Sequence, residues 1–211
     1  MDVEHRIYKL PWAERYVRLE QVKHPDATIG VVMDVTATYL EMSNIVRERD
    51  TDELTGLINR RGFFSEMENL FQDTSKLGYA GMFFIDANKL KYVNDSIGHK
   101  AGDFYLCAIA DALRAWAGKN KVFCRLGGDE FVLFVYGADS KEELLEAFDK
   151  AMYRMNDTFI EYEGEKIRLS YTVGAAFYPG HSEDFRALMR MADKNMLQNK
   201  GKGMTTRNML N

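Results

Sequence analysis

Two apolar runs joined by a Gly-Gly-Asp turn place the strongest constraint on the fold of this chain. Residues 122–126 precede the turn, and residues 130–136 (EFVLFVY) follow it. Short runs of this kind, joined by glycines that accept positive φ, predict a β-hairpin. A hairpin embedded among helices argues against a regularly doubly wound parallel sheet.

The segments around the hairpin alternate between helical and strand patterns. Apolar residues at helical spacing predict helices at 59–76, 102–117, 141–156 and 182–199, and apolar runs predict strands at 79–85 and 166–178. The order α-β-α-β-β-α-β-α predicts an α+β fold (an α/β sandwich), with a mixed or antiparallel central sheet covered by helices.

The first fifty residues have a different pattern. Residues 15–23 and 28–35 are strand-like around a turn at Pro25, and residues 36–50 contain no Gly or Pro and predict a helix. Two strands cannot bury a core alone, so they either pack on the rest of the chain or end a truncated domain. The apolar stripe of the helix, which includes Leu40, is either a dimer seam or a contact within one subunit.

Composition excludes several classes of function. The 211 residues include 28 Lys and Arg against 32 Asp and Glu, and the net charge of −4 argues against binding to nucleic-acid polymers. Two cysteines, Cys107 and Cys124, are too few for a disulfide framework or a four-cysteine zinc site. No run approaches the ~18 apolar residues of a membrane span, and the first residues lack a signal-peptide pattern. We therefore expect a cytoplasmic protein without membrane contact in this segment.

Acidic residues stand at the ends of predicted strands. Asp86 ends one apolar run, and Asp129 and Glu130 lie at the hairpin turn. Carboxylates at adjacent strand ends can share Mg²⁺, which keeps positions for water and phosphate and so suits phosphoryl transfer. Gly127 and Gly128 would let a ligand approach the backbone, although Gly-Gly-Asp alone also fits an ordinary turn.

The polar segment after Asp86 contains candidates for base recognition. Asn94 offers amide donors and an acceptor, and Asp103 offers two acceptors, which together suit the edge of guanine. Lys91 is a candidate phosphate contact. Each residue taken alone would also serve as a cap, a turn or a solvated surface residue.

Five motifs in order resemble those of GGDEF-domain diguanylate cyclases. They lie at 51–63 (TDELTGLINRRGF), 86–103, 125–131 (RLGGDEF), 170–176 (SYTVGAA) and 192–203. The resemblance implies a catalytic domain at 51–207 with a nucleotide-cyclase-like fold. Residues 37–50 would then form a signalling linker helix. Residues 1–36 resemble the last two strands of a PAS sensor domain, which implies an upstream sensor in a longer protein.

The resemblance also implies an activity and a set of site residues. The family condenses two GTP molecules into cyclic di-GMP with release of two pyrophosphates, in a homodimer that holds one GTP per domain. The expected cofactor is Mg²⁺, for which Mn²⁺ could substitute, and Asp129 and Glu130 are the expected catalytic residues. The residues carried over are, for the metal, Asp86, the Ala87 carbonyl, Asp129 and Glu130, and for the substrate, Leu90, Lys91, Asn94, Asp103, Gly127, Gly128 and Lys200.

Several positions depart from the family pattern. Asn88 replaces the second Asp of the strand-end motif and Leu90 replaces a Phe, which is a familiar variant. Met204 stands where the family has a phosphate-binding Arg. Residues 118–121 lack the Arg-x-x-Asp of the inhibitory product site, so we expect no high-affinity feedback through it. Two non-enzymatic alternatives stay open: a receptor for GTP or cyclic di-GMP, and a dimerisation relay with a vestigial catalytic part.

Overall fold

The computed structural model describes residues 7–24, 27–115 and 120–200. The chain divides into two compact units, one ending at Arg49 and one beginning at Asp50. Within the described ranges, no helix is long and apolar enough to cross a lipid bilayer.

The first unit is a small antiparallel sheet followed by a helix. The strands β1 (Ile7–Lys9), β2 (Tyr16–His24) and β3 (Ala27–Asp34) pair in that order, and helix α1 spans Thr36–Asp50. The two predicted strands and the helix are present, and β1 is an additional strand. Among the described residues α1 buries no side chain, and Leu40 on its stripe is 46% exposed.

The second unit is built on a five-stranded sheet whose order is β10-β5-β7-β6-β4. All neighbouring strands are antiparallel except β4 and β6, which are parallel, so the predicted mixed sheet and α+β fold are confirmed. The elements are β4 (Ile58–Asn59), α2 (Arg60–Gln72), β5 (Tyr79–Asp86), α3 (Leu90–Ser96), α4 (His99–Arg114), β6 (Lys121–Gly127), β7 (Glu130–Ala138), α5 (Lys141–Asn156), β8 (Phe159–Tyr162), β9 (Glu165–Arg168), β10 (Thr172–Tyr178) and α6 (Phe185–Asn199).

Helices cover both faces of the central sheet. On β5, the side chains of Met82 and Phe84 join a core with residues of α2 and α6, whereas Phe83 and Ile85 join a second core with residues of α4 and α5. This alternation follows from the two-residue repeat of a strand. Phe83 stacks on Phe148 of α5 with ring centroids 4.1 Å apart. Burial on both faces explains why β5 reads as a continuous apolar run.

The prediction of one long strand at 166–178 is wrong. The chain forms β9, which pairs with β8 in a separate two-stranded sheet, and then β10 of the central sheet. The break occurs at Ser170, whose backbone N–H donates to the hydroxyl of Tyr105 at 2.9 Å. The single proton of that hydroxyl is within hydrogen-bonding reach of two carbonyls, that of Asn88 at 2.8 Å and that of Ser170 at 3.0 Å. The backbone N–H of Ser170 is therefore satisfied by a side chain rather than by a neighbouring strand.

Candidate active site

The predicted acidic residues lie together at one end of the sheet. Asp86, the last residue of β5, pairs in register with Glu130, the first residue of β7. The backbone N–H of Ala87 donates to the carbonyl of Asp129 at 2.8 Å. Asp86 is only 5% exposed, because it lies between β7 and the edge strand β10. The antiparallel register thus joins residues more than forty positions apart in the chain.

The acidic cluster changes the proton affinity of Glu130. Burial is the largest cause that raises its pKa above the ordinary value, and the negative charge of Asp193 is the next. Asp129 and Asp86 raise the pKa further, whereas Lys200 lowers it. No role was predicted for Asp193 from the sequence. A signal was present, because Asp193 precedes Lys200 by seven residues, two turns of α6, and therefore lies on the same helical face.

Lys200 lies beside Asp86 at the end of α6. Its Nζ is 2.8 Å from the Oδ2 of Asp86, and this hydrogen bond is the main cause of a raised Lys200 pKa.

A buried carboxylate that holds an ammonium group is also a suitable ligand for a hard cation. No three Asp, Glu, His or Cys side chains in the described part of the chain converge as a complete metal site. A cation held here would complete its coordination with backbone, water and phosphate oxygens, as Mg²⁺ commonly does.

The turn between β6 and β7 has a backbone that favours glycine. Gly127 and Gly128 have φ values of 142° and 56°, in the left-handed region that side chains disfavour. Apart from the chain neighbours of each glycine, no described atom lies within 4 Å of the position that a Cβ would take at either residue. The turn therefore leaves open space at the two glycines.

Arg125 stabilises this turn through hydrogen bonds to its backbone. Arg125 donates to the carbonyl of Gly128 through Nε at 3.1 Å and Nη2 at 2.8 Å, and its Nη1 lies 3.1 Å from Oδ1 of Asp52. Asp52 also accepts the backbone N–H and the hydroxyl of Thr55. Burial pushes the Asp52 pKa upward, but the hydrogen bonds from Thr55 and Arg125 outweigh it and the pKa is lowered. Sequence reasoning did not predict this link, which spans 73 positions.

The predicted guanine-binding residues lie where α3 meets α4. A Cβ placed on Gly102 would lie 1.9 Å from Oδ1 of Asn94 and 3.3 Å from Cδ1 of Leu90. Gly102 therefore makes room for both side chains, and Asp103 follows it directly. Lys91 and Asp103 are exposed on the surface of these helices.

Asn88, which replaces the second Asp of the strand-end motif, has a structural partner. Its Nδ2 donates to the hydroxyl of Thr172 at 2.9 Å, and its Oδ1 accepts from that hydroxyl at 3.1 Å. Thr172 is also the register partner of Asp86 on β10. An amide can both donate and accept, which a carboxylate cannot, so Asn88 ties the loop after β5 to the edge strand. The predictions about the inhibitory product site at residues 118–119 and about Met204 concern residues outside the described part of the chain.

These features define an α+β domain with acidic side chains at a glycine-rich hairpin. Comparison with known proteins identifies the family: residues 49–206 match the family described as diguanylate cyclase, GGDEF domain, and the chain belongs to it. Over 158 residues it is 31% identical to the diguanylate cyclase DgcN of Escherichia coli. This alignment covers 75% of this chain and 38% of DgcN. The chain thus spans less than two fifths of this relative's length.

Solved structures agree with the family assignment. The GGDEF domain of TpbB from Pseudomonas aeruginosa superposes with a TM-score of 0.67 at 31% identity, covering 72% of this chain and 90% of that one. A sensory box/GGDEF family protein from Caulobacter crescentus superposes with a TM-score of 0.66 at 27% identity, covering 73% and 99% respectively.

Proposed function

We propose that the chain is a diguanylate cyclase, which condenses two GTP molecules into cyclic di-GMP and releases two pyrophosphates. The observation that carries the proposal is the register of β5 and β7, which gathers Asp86, Asp129 and Glu130 at one end of the sheet. Family membership and the diguanylate cyclase names of DgcN and TpbB support the same activity.

Each new bond of the product joins the 3′-oxygen of one GTP to the α-phosphorus of the other. The bond between the α-phosphorus and the bridging oxygen breaks, and pyrophosphate leaves. We propose that two domains meet as a homodimer with one GTP each, because each nucleotide is both nucleophile and electrophile. In this proposal Glu130, which lies opposite Asp86 at the start of β7, also helps to activate the 3′-hydroxyl by accepting its proton.

The acidic residues fit a divalent cation, Mg²⁺ or Mn²⁺. We assign Asp86, Asp129, Glu130 and the carbonyl of Ala87 as its protein ligands. When bound, such a cation neutralises phosphate charge and lowers the pKa of an attacking hydroxyl. The gathering of Asp86, Asp129 and Glu130 at one end of the sheet supports this assignment, because a divalent cation would offset their mutual repulsion.

The remaining predicted residues bind the nucleotide in this proposal. Asn94 and Asp103 recognise the guanine edge, and Leu90 packs beside it. Lys91 and Lys200 contact phosphates, and the bare backbone of Gly127 and Gly128 lets the triphosphate approach. The space that Gly102 provides for Asn94 supports this assignment.

We further propose that the catalytic domain at 51–207 is one part of a longer cytoplasmic signalling protein. The strands of the first unit and helix α1 would be the end of a PAS-like sensor and its linker. The three-stranded antiparallel sheet and the fifteen-residue helix support this organisation.

The test is product formation from GTP. The protein is incubated with GTP and Mg²⁺ at concentrations that favour dimers, and cyclic di-GMP is measured by chromatography. Asp129→Asn should abolish the product, Asn94→Ala should raise the KM for GTP, and Asp149→Asn on the exposed face of α5 should change neither. Nucleotide binding without product would instead support a non-enzymatic receptor.

A further inference from the structure

The open edge of the central sheet is covered by side chains of α6. β10 is an outer strand, and the carbonyl of Val173 accepts a hydrogen bond from Nδ2 of Asn199 at 2.9 Å. The carbonyl of Ala175 accepts one from Nδ2 of Asn195, also at 2.9 Å. The helix thus supplies donors where a further strand would pair.

The spacing of donors and acceptors matches. Asn195 and Asn199 are four residues apart, which is about 6 Å along a helix. Val173 and Ala175 are two residues apart, which is about 6.7 Å along a strand. Two bonds at this separation fix both the position and the direction of the helix along β10.

Gly174 permits the close approach that these bonds need. A Cβ on Gly174 would lie 2.1 Å from the carbonyl oxygen of Ala192 and 2.1 Å from the backbone nitrogen of Met196. Both clashes are with helix backbone, which cannot rotate away as a side chain can. Ala192 and Met196 are themselves buried in the core beneath α6.

The position of α6 determines what its end can reach. Lys200 directly follows Asn199, and its ammonium lies 2.8 Å from Asp86. A shift of α6 by one residue would move each side chain by 1.5 Å along the helix axis and turn it by about 100°. The ion pair with Asp86 would not survive such a shift.

We propose that Asn195 and Asn199 are positioning residues, which set the register of α6 on β10 and thereby hold Lys200 at Asp86. The effect on the ion pair does not depend on enzymatic activity. The effect on substrate rests on the proposed function, in which Lys200 contacts phosphates.

The first test measures the coupling between Asp86 and Lys200. Free energies of unfolding are determined for Asp86→Asn, Lys200→Met and the double variant, once in the parent and once with Asn195→Ala and Asn199→Ala together. The coupling should be favourable in the parent and fall to zero without the two amides. Equal coupling in both backgrounds would overturn the proposal. Alanine is a better helix former than asparagine, so the exchange itself does not weaken the helix. If the paired variant does not fold, Asn199→Ala alone should still reduce the coupling.

The second test measures the affinity for a non-hydrolysable GTP analogue with Mg²⁺. Removing both amides should weaken binding about tenfold in the parent, the loss expected for one charge-assisted contact, and should cause no further loss in a Lys200→Met protein. Equal losses in both backgrounds would show a general structural role and contradict the proposal. Gln198→Ala, on an exposed position of the same helix, should leave affinity unchanged. If the parent binds no nucleotide, the proposed function fails, while the coupling measurement still decides the positioning role.

Discussion

Asp86 and Glu130 are direct cross-strand partners at the end of β5 and β7, so two acidic side chains face each other on one side of the sheet. Like charges at directly opposite positions of an antiparallel pair destabilise it by roughly 0.2–1 kcal/mol. The repulsion between Asp86 and Glu130 thus occurs where a cation and a triphosphate are proposed to bind.

Glu130→Gln should therefore stabilise the metal-free protein at pH 7, by roughly 0.2–1 kcal/mol in the free energy of unfolding. The pKa of Glu130 is raised on folding, so its unfavourable contribution is present above the folded-state pKa. The gain should disappear as the pH falls below the ordinary range of glutamate, where the group is protonated in both states. Urea unfolding at several pH values measures it. Glu161→Gln, opposite Lys166 on the separate hairpin, should give no gain.

Arg125→Met should destabilise the fold by about 1.5–3 kcal/mol, because it removes charge-assisted hydrogen bonds to Gly128 and Asp52. The side chain of Arg125 is only 11% exposed, so water replaces those bonds poorly. Lys150→Met, which removes an exposed ion pair to Glu146, should cost less than about 1 kcal/mol. Similar losses in both variants would argue against a special role for Arg125.

The stabilising effect of Asp52 should depend on pH. Its pKa is lowered on folding, so the stabilisation is fully present above the unfolded-state pKa and is lost as the pH falls through the folded-state value. The difference in unfolding free energy between the parent and Asp52→Asn should therefore narrow in acid. A difference that stays constant from pH 7 to acid would mean that the charge of Asp52 contributes nothing.

Gly102→Ala should separate stability from nucleotide binding. Alanine normally stabilises a helix interior by about 1 kcal/mol, but here the new methyl group would displace the Asn94 amide. We expect a folded protein whose affinity for a GTP analogue falls about as far as in Asn94→Ala, measured by fluorescence titration. Gly30→Ala, where no described atom lies within 4 Å of the added Cβ, is the control for a glycine exchange. Unchanged affinity in Gly102→Ala would show that Asn94 does not need this space.

The sequence predicted the parts of the fold that local patterns determine. Apolar runs and helical spacing located β5, the β6–β7 hairpin and α5, because burial on two faces or one leaves a regular pattern. The acidic residues at the strand ends were predicted for the same reason, since a carboxylate that ends an apolar run is easily noticed.

Contacts between distant positions were not predictable in this way. The hydroxyl of Tyr105 interrupts the expected long strand from a helix 65 positions away, and nothing near Ser170 marks the break. Asn195 and Asn199 occupy positions in a helix where an asparagine would usually be read as a solvated residue. Their role becomes visible only when β10 is known to be the edge of the sheet.

The edge strand also bears on how the protein behaves at high concentration. An uncovered strand offers alternating backbone groups on which another chain can assemble. Here three successive outward carbonyls are occupied, two by the asparagines and that of Phe177 by the backbone N–H of His181 at 2.7 Å. These carbonyls are therefore not available to accept hydrogen bonds from a strand of a second molecule. The contacts that hold α6 in place should thus also reduce intermolecular β-pairing and aggregation at this edge.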